Sequence, residues 1–282
     1  MSSVLFDVPG PRARLRHRLY AILGVAVLVA GIGFVVYRFA ESGQFAGEKW
    51  SWIQYEKVQT DLLDALVNTL KAFAAGAVLA LLFGAIFAAG QLSDHKVIRV
   101  PAMVVVELFR AVPLVVLIFV FHYGLSLGAP FYSVVLGLTL YNGSVLAEVF
   151  RAGVLSLPRG QSEAAYAVGM RKTQVMNNVL LPQAVRAMLP AIISQLVVLL
   201  KDTALGFLIT YDELLDYARY LGSIFEFGRP LVPVTIVVAA VYIAMCLLLT
   251  WLATYLEKRN RRNKKVVELE KKPAEDVVAA AV

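Results

Sequence analysis

Residues 111–147 contain no Asp, Glu, Lys or Arg. A bilayer's hydrocarbon core takes about 20 apolar helical residues to cross, so this stretch is too long for one span. Gly124, Gly128 and Pro130 supply a turn in its middle. Two helices follow, over residues 103–123 and 131–150. Four more uncharged or nearly uncharged stretches read the same way: residues 19–37, 72–93, 187–208 and 230–256. The fifth span in chain order carries Lys201 and Asp202 inside it. Composition agrees, with 59% apolar and 17% charged residues against roughly half and a quarter in soluble domains. A soluble enzyme and a disordered chain are both excluded. The single cysteine, Cys246, excludes a disulfide framework and every multi-cysteine metal site. The expected fold is all-α and transmembrane, with six helices.

Six spans place both termini on one side. On that side fall Arg12, Arg14, Arg16, Arg18, Lys96, Arg99, five basic residues between Arg151 and Arg186, and eight in the tail from Lys258 to Lys272. Arg38, Lys49, Lys57, Arg219 and Arg229 fall on the other. Cytoplasmic loops carry the Lys/Arg excess, so both termini are expected in the cytoplasm. The net charge of +7 is then topology, with attraction to anionic lipid as its remaining use, and nucleic acid is not an expected partner. The first span is long for a signal peptide, and no small-x-small cleavage site follows it. Trp50, Trp52 and Tyr55 in the next loop suit a membrane interface.

The loop between the fourth and fifth spans is too long for a passive hairpin. Ser162 is placed to cap a helix starting at Glu163, whose charge suits a helix N-terminus. Ala164, Ala165 and Ala167 give it a slim face, and Gly169 ends it in a left-handed conformation. A second amphipathic segment follows, with Val175, Met176, Val179 and Leu180 on one side, until Pro182 reopens the path to the membrane. Such a helix pair suits the cleft of a partner protein, or equally the lipid surface.

Glu163-Ala-Ala-Tyr-Ala-Val-Gly169, with Leu181-Pro182 downstream, resembles the EAA loop of permease subunits of ATP-binding-cassette importers. The flanks resemble the polar amino acid family: Glu107-Leu-Phe-Arg-Ala-Val-Pro-Leu114, Ala147-Glu-Val-Phe-Arg-Ala-Gly153, Pro158-Arg-Gly-Gln161 and Leu200-Lys-Asp-Thr-Ala-Leu205. Within it the chain is most similar to actinobacterial glutamate uptake permeases. Ala111-Val112 departs from the usual Gly-Thr, and an N-terminal span is added to the common five. The resemblance implies a type I importer permease. Residues 1–18 would be a basic cytoplasmic N-terminus, 19–37 the extra helix, and 38–65 an extracytoplasmic loop. Residues 66–256 would form the permease domain, its EAA loop about 156–182, and 257–282 a charged cytoplasmic tail. It implies an ATPase dimer that binds ATP and Mg, a second permease subunit and an extracytoplasmic amino-acid-binding protein. Glu163, Ala164, Ala165, Gly169, Arg171 and Pro182 would couple to the ATPase. The chain itself has no G-x-x-x-x-G-K-[ST] and no catalytic cluster, so no enzymatic activity and no cofactor of its own are expected.

Charges inside spans are costly and face the bundle interior or water. Arg110 lies about 10 Å into the third span, where its planar fork matches a substrate carboxylate or pairs with Glu107 one turn earlier. Lys201 and Asp202 lie roughly 21 Å into the fifth. Lys201 meets a carboxylate or snorkels; Asp202, with Thr203, meets an ammonium or ties two helices. Glu148 pairs with Arg151 or forms an inner gate. Asn142, with Tyr141 and Ser144, lines a pathway or bonds to a neighbouring helix. Arg110, Asn142, Lys201, Asp202 and Thr203 are the candidate pathway residues, and two cations among them favour an acidic amino acid, glutamate first. The competing reading is a secondary amino acid transporter driven alone by an ion gradient.

Overall fold

The computed structural model describes residues 10–268, and every regular element among them is helical. The tail beyond residue 268, with Lys271 and Lys272, and the first nine residues lie outside the described residues.

Helix α1 (Pro11–Glu41) starts with proline in its first turn, where the missing N–H costs nothing. It takes the basic residues Arg12 to Arg18 onto the helix and is exposed along its whole apolar window. A 3₁₀ turn, Gly47–Gln54, leads into α2 (Glu56–Gln91). Trp52 is 3% exposed, packed with Val58, Ala65, Leu214 and Phe227. The turn is thereby pinned to the body.

Helix α2 carries small residues four apart, Ala72, Gly76, Ala80, Gly84 and Ala88, all buried. This stripe lets α5 (Pro130–Leu155) come to backbone distance. A Cβ on Gly84 would lie 2.9 Å from Leu146 Cβ, and one on Gly143 would lie 3.1 Å from the Ala80 carbonyl oxygen. Around that seam Leu114, Ile118, Leu138, Leu146, Leu199 and Ile209 form the main core.

The third span differs from the single helix expected over 103–123, going further than the kink that Pro113 implies. It is a pair, α3 (Lys96–Ala111) and α4 (Leu114–Phe119, continued as a π turn to Gly124), bent by 96°. The residue before a proline is pushed out of the helical region, and Val112 accordingly sits at ψ 127°. The Pro113 carbonyl then starts the new helix, accepting from Val116 N–H at 2.9 Å.

After α5 come two short helices, α6 (Arg159–Ala167) and α7 (Lys172–Gln174), a π turn Val175–Leu180, and α8 (Leu181–Asp202). A 3₁₀ turn, Thr203–Ile209, leads to α9 (Leu214–Ser223) and α10 (Leu231–Glu268). Among the described residues five helices are long and apolar enough to span a bilayer, and the bent pair makes a sixth if counted as one. The helix α6–α7 arm projects at one end of the bundle; α9 packs with α10 at the far end.

Candidate functional site

The arm departs from expectation at its start and agrees at its turn. Helix α6 begins at Arg159, four residues before Glu163, because Pro158 holds an extended ψ of 132° and its carbonyl closes the first turn onto Gln161 N–H. Ser162 therefore caps nothing; its hydroxyl donates to the Arg159 carbonyl at 2.8 Å. Gly169 is left-handed, φ +80°. Its N–H donates to Tyr166 O, and Met170 N–H reaches back to Ala165 O, a doubly bonded stop that fixes the angle between α6 and α7. Glu163 and Ala164 face outward, with Tyr166 and Val168 exposed beside them, while Ala165 is buried.

Arg171 precedes α7, and Gln174 Oε1 accepts from its N–H at 2.8 Å. Pro182 does not break the path. The helical run continues from Lys172 to Ile209, because Pro182 lies in the first turn of α8 and the wider π turn ahead of it absorbs the missing donor. Lys172 forms an ion pair with Asp94, in the turn between α2 and α3. That ammonium holds the Asp94 carboxyl below the usual carboxylate range.

Along the spans the candidate residues divide into three places, with Arg110 and Lys201 exposed on the helix surface rather than turned into the bundle. Arg110 bonds Glu107 at 3.2 Å, one turn before the bend. On the same half of the bundle, Arg151 grips Glu148, with Nη2 2.7 Å from Oε2, and Gln91 Nε2 donates to Glu148 Oε1 at 2.9 Å. These bonds tie α2 to α5. The second place joins α5 and α8: Gln195 Nε2 donates to Asn142 Oδ1 at 2.7 Å, and Asn142 Nδ2 donates to Asp202 Oδ2 at 3.2 Å. Asn142 is fully buried, and so is Thr203, whose hydroxyl donates to Leu200 O. Lys201, one residue along and so about 100° around the helix, points elsewhere. It lines a cavity of about 540 Å³ with Ala204, Val238, Tyr242 and Cys246, between α8 and α10.

One polar centre went unnoticed in the sequence. Glu213 is fully buried at the start of α9, accepting from Leu215 N–H (2.9 Å), Asp216 N–H (2.8 Å) and the Tyr242 hydroxyl (2.7 Å). Burial nonetheless pushes its carboxyl up to about 7. Thr69 of α2 accepts from Leu214 N–H beside it, so α2, α9 and α10 meet there. The sequence signal was an acidic residue just before an amphipathic run, a helix-start pattern.

A multi-pass bundle of long apolar helices with a helical arm at one end defines a membrane protein, and no metal-binding cluster occurs among its described residues. The family model described as "Binding-protein-dependent transport system inner membrane component" matches residues 80–262. The chain belongs to that family, and is a transport subunit of the membrane. It is 40% identical over 229 residues to the glutamate transport system permease protein GluD of Corynebacterium glutamicum, covering 78% of this chain and 82% of that protein. It is 33% identical over 210 residues to the glutamate/aspartate import permease protein GltK of Escherichia coli O6:H1, covering 70% and 92%. Among solved structures, an amino acid ABC transporter with histidines superposes with a TM-score of 0.66 and 28% identity, covering 74% of this chain and 98% of that one.

Proposed function

We propose that this chain is the permease subunit of an ATP-driven importer of acidic amino acids, glutamate or a close relative. A binding protein would deliver the amino acid outside, a second permease subunit would complete the pathway, and a pair of ATPase subunits carrying ATP and Mg would drive it from the cytoplasm. The observation that carries the reading is the arm. A rigid helix pair, locked at Gly169 and fused through α7 to a transmembrane helix, is a lever rather than a lipid-surface helix. Glu163, Ala164, Gly169 and Arg171 form its docking end, Ala165 packs beneath them, and Pro182 lies where it joins the bundle. The distribution of basic residues supports a topology with both termini on the cytoplasmic side, the side of the arm.

The glutamate and glutamate/aspartate permeases among the relatives support the substrate class. Electrostatics supports it too, since Lys201 is an intramembrane cation facing an apolar cavity, where a carboxylate is the natural complement. Asn142, Asp202 and Thr203 brace the neighbouring wall of the pathway, and Arg110 lies near its cytoplasmic mouth. The test is uptake of labelled glutamate by vesicles holding the complete transporter, with competitors. Glutamate and aspartate should compete and arginine should not; strong competition by arginine alone would overturn the substrate class.

A further inference from the structure

Four of the five ion pairs among the described residues join side chains three or four positions apart. The fifth, Lys172 to Asp94, joins the arm to the turn between α2 and α3. Beneath it lies a cavity of about 630 Å³ whose walls include Leu92 just after α2, Phe150 of α5, Met176 of the π turn and Met188 of α8; Asp94 and Lys172 stand among the same lining residues. The root of the arm packs on the bundle only in part, through buried Val175 and through Met176 against Val154, Ala184 and Met188. It stands over a largely apolar gap lined in part by methionines, which repack readily.

The arm also joins α8 through a π turn, Val175–Leu180. Such a turn carries one residue more per hydrogen-bonded ring than an α-helix, and converting it would rotate everything ahead of it. A joint, a gap and a single charged strap across the gap therefore occur together. Asp94 sits only two residues before the start of α3, and α3 runs to the 96° bend at Pro113 with the Glu107–Arg110 pair on its last turn.

We propose that the Lys172–Asp94 pair is a transmission strap: it carries displacement of the docked arm into α2 and α3 as the arm moves over the cavity. Lys172 and Asp94 are then positioning residues for transport, acting through the helices they pull rather than on the amino acid. The arm alone turns α8; the strap makes the broken helix α3–α4 turn with it. The proposal rests on the reading of the arm as the ATPase-docking element.

The experiment uses the intact transporter in proteoliposomes, with a labelled mixture of amino acids as the probe so that substrate identity does not enter. Three quantities are read: ATPase retained on purification, ATP hydrolysed, and amino acid moved per ATP. Exposed ion pairs are weak individually, so Asp94→Asn should retain the ATPase and its hydrolysis while amino acid moved per ATP falls about two- to fivefold. The exchanged pair, Asp94→Lys with Lys172→Asp, should restore it. An unchanged ratio in Asp94→Asn, or failure of the exchange to restore it, would overturn the strap. Loss of the ATPase in Asp94→Asn would overturn it too, assigning the residue to docking. If instead Glu163→Lys leaves the ATPase bound, the docking reading itself fails, and that result is independent of the strap.

Discussion

At the scale of single residues, Gly169 and Glu213 mark the two limits of what the sequence says. Gly169 was legible because a left-handed stop after a run of alanines has a local chemical reason, and φ +80° bears it out. Ser162 was misread for an equally local reason: Pro158 upstream offers an earlier start, and the hydroxyl then falls in mid-helix. Glu213 was invisible because its burial depends on α2 and α10, more than twenty residues away in either direction. Its carboxyl stands at about 7 rather than 4.5, so the folded protein holds that proton more tightly than the unfolded chain does. Stability from this group is fully present below about pH 4.5 and is lost as pH rises to about 7, a difference of about 3 kcal/mol. The melting temperature of purified protein should therefore rise as pH falls from 8 to 5, and Glu213→Gln should flatten that dependence. An unchanged pH dependence in Glu213→Gln would place the titrating group elsewhere.

At the scale of helices, spans were legible as apolar runs, but their shapes were set by neighbours. The α2 stripe of Ala72, Gly76, Ala80, Gly84 and Ala88 is readable as a close-packing face, and α5 occupies it. Gly84→Val should lower stability by about 1–3 kcal/mol, seen as a lower melting temperature in detergent, because Leu146 and the Gly143 carbonyl already stand within about 3.1 Å of the added carbon. Gly24→Val in α1, with nothing within 4 Å, should leave it unchanged. Pro113 announced a kink, yet not one of 96°; that size follows from Val112 leaving the helical region altogether. The π turn before Pro182 had no sequence signature. Gly169→Val forces a branched residue into the left-handed region at a cost of about 1–2 kcal/mol and should loosen the α6–α7 angle. Uptake should fall, and the melting temperature should drop by only a few degrees, because the cost is backbone strain alone and a Cβ there meets nothing within 4 Å.

At the scale of the molecule, the seam of α2 and α5, the α9–α10 cap and the arm account for why this chain is a part rather than a whole. Its most exposed elements are the two that the body does not explain. Helix α1 is apolar on every side with none of its apolar window buried, and the end of the arm presents Tyr166 and Val168 to solvent. Motif order, unlike either exposure, was readable in advance, because the EAA-like segment lies between spans where a lever must lie. The candidate pathway residues were only half readable: polar positions inside spans stand out, but which of them face each other depends on helix rotation. Thus Asn142 meets Asp202 while Lys201 turns to another cavity.

The central claim is that the arm holds an ATPase. The direct measurement is gentle purification of the tagged chain from its own membranes, followed by identification of what accompanies it. An ATPase bearing a P-loop should co-purify with the native chain and be lost in Glu163→Lys, with the variant still inserted and folded. A chain that purifies alone and moves amino acids in liposomes on a proton or sodium gradient, without ATP, would contradict the account.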